Sequence, residues 1–334
     1  MPPILYVCDN CVDQELLARV QIKRVGAEQH QGMESTRAES GGRTAGSGWA
    51  ARAGGGADEY LRAREGSENF PVALRLLPSD VRVHLGAVYD VARVIDDLGD
   101  QAPGDRTALL RDFRADLAKI WADGAPEPDA PVLRRLAASV RAKHLSHKPF
   151  DDLIEANLVD QEVETYPTYE DLVEYCELSA NPVGRIVLEV FDASTPERAE
   201  LSDRICTALQ IIEHCQDVAE DRRAGRIYLP LEDLTRFGVR VKDLDAPTAS
   251  AGVRRLVAFE ADRAGALLNS GTPLLGQLHG WARLAVRGYV AGGGAALLAL
   301  RRADWDVLSG TPHARKTDLV RQLIAVSWDR RVGS

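Results

Sequence analysis

Residues 89–100, YDVARVIDDLGD, and residues 213–230, EHCQDVAEDRRAGRIYLP, decide the fold class of this 334-residue chain. In the first stretch, apolar residues recur with the spacing of a helix, and the polar residues collect on one side. At roughly 100° per residue, those polar side chains fall within an arc of roughly 100°. They are Tyr89, Arg93, Asp96, Asp97 and Asp100. The stretch therefore predicts a helix with one strongly acidic face.

The second stretch also predicts a helix with an acidic face. Its acidic side chains are Glu213, Asp217, Glu220 and Asp221. Gln216 flanks this face, and Gly225 is suited to end the helix. Arg226 follows one turn beyond, where its guanidinium could bind diphosphate oxygens in a bidentate manner. Tyr228 could donate to the same group, so this tail predicts an anion site beside the carboxylates.

We call Asp96, Asp97 and Asp100 the first acidic cluster, and the acidic side chains of residues 213–221 the second acidic cluster. Carboxylates this close repel one another unless a cation lies among them. Arg93 is one such cation, and Mg²⁺ is another, since it prefers oxygen ligands. Two clusters that face each other across a cavity could bind several Mg²⁺ ions and, through them, a substrate diphosphate. For either stretch taken alone, the alternative is a solvated acidic face with an intrahelical ion pair.

Composition limits the classes of partner. The chain is 45% hydrophobic and 27% charged, with a formal net charge of −9, which argues against nucleic acid as the main partner. Five cysteines favour a reducing cytoplasm over a disulfide framework. Cys8 and Cys11 have metal-ligand spacing but no second pair, so a zinc-binding N-terminal module is the minor alternative to two incidental thiols. Neither a secretory signal nor a membrane-spanning segment is apparent.

Residues 1–58 are rich in glycine runs and predict a disordered, low-complexity extension. Residues 59–334 predict a single all-α domain with a central cavity. Within it, Asn181-Pro182-x-Gly184 predicts a kink or break that widens the cavity. The predicted helices are roughly 57–65, 69–75, 79–98, 105–122, 131–145, 150–164, 168–177, 183–191, 196–220, 230–235, 248–268, 272–300 and 314–330.

The two clusters together resemble the squalene/phytoene synthase family over about residues 65–330. The resemblance implies the all-α isoprenoid synthase fold, with two aspartate-rich motifs that face each other across a hydrophobic cavity. Further segments are similar to the hopanoid-pathway branch of that family that forms hydroxysqualene. They are Glu68-Asn69-Phe70-Pro71-Val72-Ala73, Leu76-Leu77-Pro78, Asn157-x2-Asp160-Gln161, Tyr175-Cys176-x2-Ser179-Ala180-Asn181-Pro182-Val183-Gly184 and Glu213-His214-Cys215-Gln216-Asp217-Val218. The wider family usually has a serine-containing motif in place of Asn69-Phe70-Pro71 and an asparagine in place of Glu213, which puts ordinary two-substrate condensation in doubt.

The resemblance implies that presqualene diphosphate is the substrate and that Mg²⁺ is the cofactor. The implied metal ligands are Asp96, Asp97, Asp100, Glu213, Asp217, Glu220 and Asp221. The implied catalytic residues are Asp96, Asp97, Asp217, Tyr89 and Arg93. The implied substrate-binding residues are Asn69, Phe70, Arg93, Asn181, Gln216, Arg226, Tyr228, Arg315 and Lys316. Water would end the reaction and give an alcohol, and Glu213, His214 or Asn181 would position that water. No nicotinamide site is visible.

Two further alternatives remain from the sequence. One is a head-to-head prenyltransferase, which forms presqualene diphosphate, squalene or phytoene. Another is a non-catalytic helical scaffold in a lipid-synthesis assembly, although a scaffold has no physical need for clustered like charges. Contacts with the inner face of the membrane or with other hopanoid-pathway enzymes are compatible with either enzyme. Asp160 and Gln161 are equally explained as partners of the site or as surface residues.

Overall fold

The computed structural model describes residues 77–328, which form a bundle of α-helices. The helices are α1 (Ser79–Asp100), α2 (Arg106–Ala118), α3 (Pro131–Lys143), α4 (Lys148–Val159), α5 (Tyr169–Ser179), α6 (Asn181–Val190), α7 (Pro196–Gln216), α8 (Val218–Arg223), α9 (Leu231–Arg236), α10 (Ala251–Gly271), α11 (Leu274–Gln277), α12 (Gly280–Arg302) and α13 (Lys316–Trp328). A short 3₁₀ helix covers Val241–Asp245. No residue between 77 and 328 belongs to a strand, and Thr165 and Ile227 form an isolated parallel bridge. The predicted all-α fold is confirmed.

Helix α1 has the first acidic cluster on one side and apolar residues on the other. Val91 and Ile95 are fully buried, and the helix packs against α2, α3, α4 and α6. Burial of one such side chain stabilises the fold by about 1.5–3 kcal/mol. The apolar face therefore fixes the rotation of α1 and, with it, the direction of the acidic face.

Helices α7 and α10 form the most extensive helix pair. Thr195 caps α7 by accepting a hydrogen bond from the Arg198 backbone amide. At Gly271 of α10, an added Cβ would lie 2.6 Å from Ile205 Cγ1 and 2.8 Å from the Leu201 carbonyl oxygen. Only glycine fits this close approach of the two helices. Packing on α10 therefore supports α7, the helix that ends at the second acidic cluster.

The interruption predicted at residues 181–184 is a break between α5 and α6. Pro182 lies in the first turn of α6, where a missing backbone N–H costs no helical hydrogen bond. Gly184 brings α6 close to α7, because an added Cβ would lie 2.4 Å from Ser202 Oγ and 2.5 Å from Cys206 Sγ. The break thus sets the packing of two helices that line an apolar cavity.

Two predicted helices were too long. The helix predicted at 196–220 ends at Gln216, because Asp217 adopts φ −100° and ψ 14° and separates α7 from α8. The helix predicted at 272–300 is divided by extended backbone at Leu278 and His279. The prediction that Glu213, Asp217, Glu220 and Asp221 share one helical face was therefore wrong: the backbone turns at the second of them.

Several predictions concern residues outside the described range. They are the disordered extension, the helices at 57–65 and 69–75, the Cys8–Cys11 pair and the substrate-binding roles of Asn69 and Phe70. Within residues 77–328, the thiols of Cys176, Cys206 and Cys215 are buried and free. None of the helices in this part of the chain has the length and apolar character needed to cross a bilayer.

Candidate active site

The first acidic cluster lies at the C-terminal end of α1. Asp97 is buried and pairs with Arg93, one turn earlier, at 3.4 Å between Oδ1 and Nε. Burial raises the pKa of Asp96 to about 7. Asn157 of α4 donates to Asp96 Oδ1 at 3.4 Å, an interaction that favours the ionised form. The cluster is therefore held between one cation of its own helix and an amide from a neighbouring helix.

Helix α4 is fitted closely against this end of α1. A Cβ at Gly99 would lie 2.2 Å from Asn157 Oδ1. Gln161 donates to the Gly99 carbonyl oxygen at 3.1 Å and to the Asn157 carbonyl oxygen at 3.0 Å. These contacts make Asn157 and Gln161 supports of the first acidic cluster. The motif Asn157-x2-Asp160-Gln161 drew attention to both residues, but nothing in its spacing indicated what they contact.

The second acidic cluster is partly shielded from water. Burial raises the pKa of Glu213 well above its ordinary range, and the charges of Asp217 and Asp221 raise it further. Burial also raises the pKa of Asp217 to about 7, followed by the charges of Asp221 and Glu220. Glu220 itself is exposed and accepts a hydrogen bond from Thr311 at 3.3 Å. The turn at Asp217 thus leaves Glu220 at the rim, while the other three carboxylates point inward.

The two clusters meet across the bundle. Arg226, which follows α8, places Nη2 3.0 Å from Oδ1 of Asp100 on α1. The charge of Asp96 is also among those that raise the pKa of Glu213. The clusters predicted from two distant stretches of sequence therefore lie at one site, and a guanidinium connects them.

Several carboxylate oxygens at this site are shielded from solvent and have no hydrogen-bond partner within residues 77–328. They are Asp96 Oδ2, Glu213 Oε2 and Asp221 Oδ2. A buried carboxylate is costly unless a cation or a donor satisfies it, so this donor set fits divalent metal ions. In the same part of the chain, no group of three His, Cys, Asp or Glu side chains is arranged to hold a metal by itself. Mg²⁺ needs no such group, since it is usually held by one or two carboxylates, waters and substrate phosphates.

The rim of the site comes from the segment between α12 and α13. Gln216 donates through Nε2 to the Pro312 carbonyl oxygen, which ties this segment to the end of α7. Arg315 and Lys316 are exposed at the start of α13, and the Arg315 amide donates to Asp318. Arg315 and Lys316, for which the resemblance implies substrate binding, therefore follow a segment that contacts the second acidic cluster, and both are exposed.

Aromatic rings line the side of the site next to α5. The Tyr228 ring stacks on His214 with centroids 3.9 Å apart, and Tyr175 lies 5.6 Å from Tyr228. Both tyrosine hydroxyls donate to Asp160, the residue that ends α4. Tyr89 of α1 is buried as well. The sequence left the location of Asp160 open, and the structure places it partly buried beneath the two tyrosine hydroxyls.

An apolar cavity lies between α6, α7 and α12, with an empty volume of about 370 Å³ that includes its opening to solvent. Its lining includes Val183, Gly184, Cys206, Leu209, Val286 and Tyr289. Asn181, at the start of α6, is buried, and its side-chain oxygen accepts a hydrogen bond from Thr207 at 2.9 Å. That bond gives Asn181 a role in the packing of α6 on α7.

Comparison with known proteins agrees with this geometry. Residues 63–318 match the squalene/phytoene synthase family. The chain belongs to that family. A hydroxysqualene synthase of Zymomonas mobilis is 35% identical over 216 residues, which are 64% of this chain and 71% of the relative. A phytoene synthase of Mycobacterium tuberculosis is 31% identical over 274 residues, which are 80% and 82% of the two chains.

A solved structure gives the same result for the fold. The crystal structure of squalene synthase HpnC from Alicyclobacillus acidocaldarius superposes with a TM-score of 0.68 and 42% sequence identity. The match covers 75% of this chain and 95% of that one. Squalene/phytoene synthases are enzymes that process isoprenoid diphosphates and generally need a divalent metal ion. The isoprenoid synthase fold expected from the sequence is confirmed.

Proposed function

We propose that this squalene/phytoene synthase is a hydroxysqualene synthase, which converts presqualene diphosphate and water into hydroxysqualene and diphosphate. The observation that carries the proposal is the pair of facing acidic clusters, with buried unpartnered carboxylate oxygens and Arg226 between them. The branch is favoured by relatives named hydroxysqualene synthase at 35% and 32% identity. Glu213, where the wider family usually has asparagine, favours the same branch.

The first step is loss of the diphosphate. Asp96, Asp97 and Asp100 from one side, with Glu213, Asp217 and Asp221 from the other, are the residues that would hold Mg²⁺. The bound metal supplies charge compensation for the departing diphosphate. Arg226 adds hydrogen-bond donors at the junction of the clusters, where negative charge grows as the carbon–oxygen bond breaks. Glu220 is left out, because it is exposed at the rim and already accepts from Thr311.

The second step is capture of the carbocation. The cation must rearrange before water reaches it, so its surroundings must exclude bulk water. The cavity between α6, α7 and α12 has an almost entirely apolar lining, which is the kind of surface that excludes bulk water. One water then adds to the cation and loses a proton. His214 is buried next to Glu213, which is partly buried in the second acidic cluster, and these two residues are the candidates for orienting that water.

Head-to-head condensation of two prenyl diphosphates is the second candidate function. It is favoured by the phytoene synthase match, which covers more of this chain than the hydroxysqualene synthase matches do. A presqualene diphosphate synthase of Rhodopseudomonas palustris is also 30% identical over 199 residues. Both reactions need metal-assisted loss of a diphosphate, so the acidic clusters alone do not separate them.

Product analysis separates the two functions. The full chain is incubated with Mg²⁺ and either presqualene diphosphate or farnesyl diphosphate, in ordinary water and in ¹⁸O-labelled water, with and without NADPH. We expect turnover of presqualene diphosphate alone, to an alcohol that carries one ¹⁸O atom and forms without NADPH. Turnover of farnesyl diphosphate alone would overturn the assignment in favour of condensation. Absence of turnover with either substrate would favour the scaffold.

A further inference from the structure

We propose that Asp160 is a positioning residue: it fixes the hydroxyl groups of Tyr175 and Tyr228 and, through Tyr228, the place of Arg226 between the two acidic clusters. The proposal rests on the role given above to Arg226 at the diphosphate. It adds to the site a carboxylate that holds neither metal nor substrate.

The geometry begins just after α4, where Asp160 follows Val159 and has helical backbone angles. Its two carboxylate oxygens accept from two different elements. Tyr175 of α5 donates to Oδ2 at 2.8 Å, and Tyr228, beyond α8, donates to Oδ1 at 3.3 Å. One carboxylate therefore joins three segments that are distant in sequence.

The hydrogen bond to Asp160 also sets the direction of the Tyr228 hydroxyl. A phenol has one proton to donate and lone pairs with which to accept. Because the proton points at Asp160, the lone pairs face elsewhere. Arg226 and Tyr228 line the same small cavity, together with His214 and Asp221, so the Arg226 charge lies near both the Tyr228 hydroxyl and Asp160. Arg226 in turn reaches Asp100 at 3.0 Å. Asp160 thus holds Tyr228, Tyr228 and Arg226 share a cavity, and Arg226 pairs with the first acidic cluster.

Burial and packing make this arrangement rigid. Tyr175 and Tyr228 are 5% and 3% exposed, so neither ring turns into solvent. The Tyr166 ring stacks on Tyr228 at 5.6 Å and lies 5.3 Å from Tyr175, while His214 covers the other side of Tyr228. Burial raises the pKa of Asp160, and the nearby Arg226 charge opposes that shift. A buried carboxylate surrounded in this way is costly to lose and well suited to hold its partners.

The experiment compares Asp160→Asn with Asp116→Asn in the full-length chain. Asp116 is the control: it is more deeply buried than Asp160, and it accepts from the Asp129 and Ala130 backbone amides between α2 and α3. Binding of inorganic pyrophosphate with Mg²⁺ is measured by calorimetry, and kcat/KM is measured with presqualene diphosphate. We expect Asp160→Asn to weaken pyrophosphate binding and lower kcat/KM by about 10–100-fold, the usual cost of losing such a support. Asp116→Asn should lower the melting temperature without either effect.

A second set of variants removes the hydroxyls and keeps the carboxylate. Tyr228→Phe should reproduce most of the binding loss. Asp160→Asn in a Tyr175→Phe/Tyr228→Phe background should add little, because the carboxylate then has no phenol to hold. If Asp160→Asn is unfolded, the tyrosine variants alone decide the question, and normal pyrophosphate binding by Tyr228→Phe would refute the proposal. Fully additive losses would refute it as well.

The outcome is separate from that of the proposed function. Pyrophosphate binding does not require turnover, so it tests Asp160 even if the wild-type protein fails to convert presqualene diphosphate. Binding and kcat/KM of Asp160→Asn that fall no further than those of Asp116→Asn would show a structural role only and overturn the proposal.

Discussion

The first acidic cluster lies on one continuous helix, whereas the second is divided between α7 and α8 at Asp217. The first has cations at hand: Arg93 pairs with Asp97, and Arg226 pairs with Asp100. Within residues 77–328, the carboxylates of Glu213, Asp217 and Asp221 have no lysine or arginine ion pair, and burial raises the pKa of the first two. The second cluster therefore depends more on a cation that the chain itself does not supply.

Loss of a carboxylate from the second cluster should give the largest effect. We expect Asp217→Asn to lower turnover on the order of 10³-fold, since metal coordination contributes several kcal/mol to stabilising the departing diphosphate. Asp97→Asn should lower it by less, because Arg93 and Arg226 still provide positive charge beside the first cluster. Steady-state rates across a Mg²⁺ titration measure both variants.

Stability gives the control for that experiment. Asp217→Asn removes one of several mutually repelling carboxylates, so the metal-free variant should melt no lower than the wild-type protein. Thermal unfolding with and without Mg²⁺ and pyrophosphate checks this, and only the wild-type protein should gain strongly from the ligands. Turnover by Asp217→Asn within about tenfold of wild type, against the several kcal/mol expected of a metal ligand, would contradict the assignment.

Breaking the connection between the clusters should have an intermediate effect. Arg226→Lys keeps the charge but loses the planar fork that can hold Asp100 and a diphosphate oxygen together. We expect kcat/KM to fall by about tenfold for Arg226→Lys and about 100-fold for Arg226→Ala, in line with lost charge-assisted hydrogen bonds. KM for the diphosphate substrate should rise in both.

Arg222→Lys is the matched control for Arg226. Arg222 lies four residues earlier and pairs with Asp245 at 2.7 Å on the surface, where an ion pair contributes little. Its substitution should leave kcat/KM unchanged. Equal effects at the two positions would mean that general loss of positive charge, rather than the Arg226–Asp100 contact, explains the result.

The same contrast explains what the sequence could predict. The first cluster follows helical periodicity along one uninterrupted helix, so its composition and common face were predictable from Tyr89 to Asp100. The second cluster was identified by residue type, but the turn at Asp217 depends on how α7 and α8 pack, so the exposure of Glu220 was not predictable. The Arg226–Asp100 pair and the tyrosines around Asp160 join residues that are far apart in the chain. Only the folded bundle brings them together.

A buried carboxylate outside both clusters should give the smallest effect and a reference for their pH dependence. Glu260 of α10 is 1% exposed, and burial, followed by its interaction with Asp233, raises its pKa from 4.5 to about 8. Because the folded pKa lies above the unfolded one, its protonated form stabilises the protein fully below the unfolded value, and this contribution is lost as pH rises through about 8. Arg263 opposes the shift without removing it.

In the wild-type protein, the free energy of unfolding should fall as pH rises from the unfolded to the folded pKa of Glu260. Glu260→Gln should reduce this fall by on the order of 1–3 kcal/mol. Urea unfolding at a series of pH values measures this, with the exposed Glu162→Gln as control. Mg²⁺ and pyrophosphate should reduce the pH dependence that arises from Asp96 and Asp217, because the cation replaces the proton there, yet leave the difference between Glu260→Gln and wild type unchanged. If the ligands abolished that difference too, Glu260 would be coupled to the metal site, and the contrast between cluster and core carboxylates would fail.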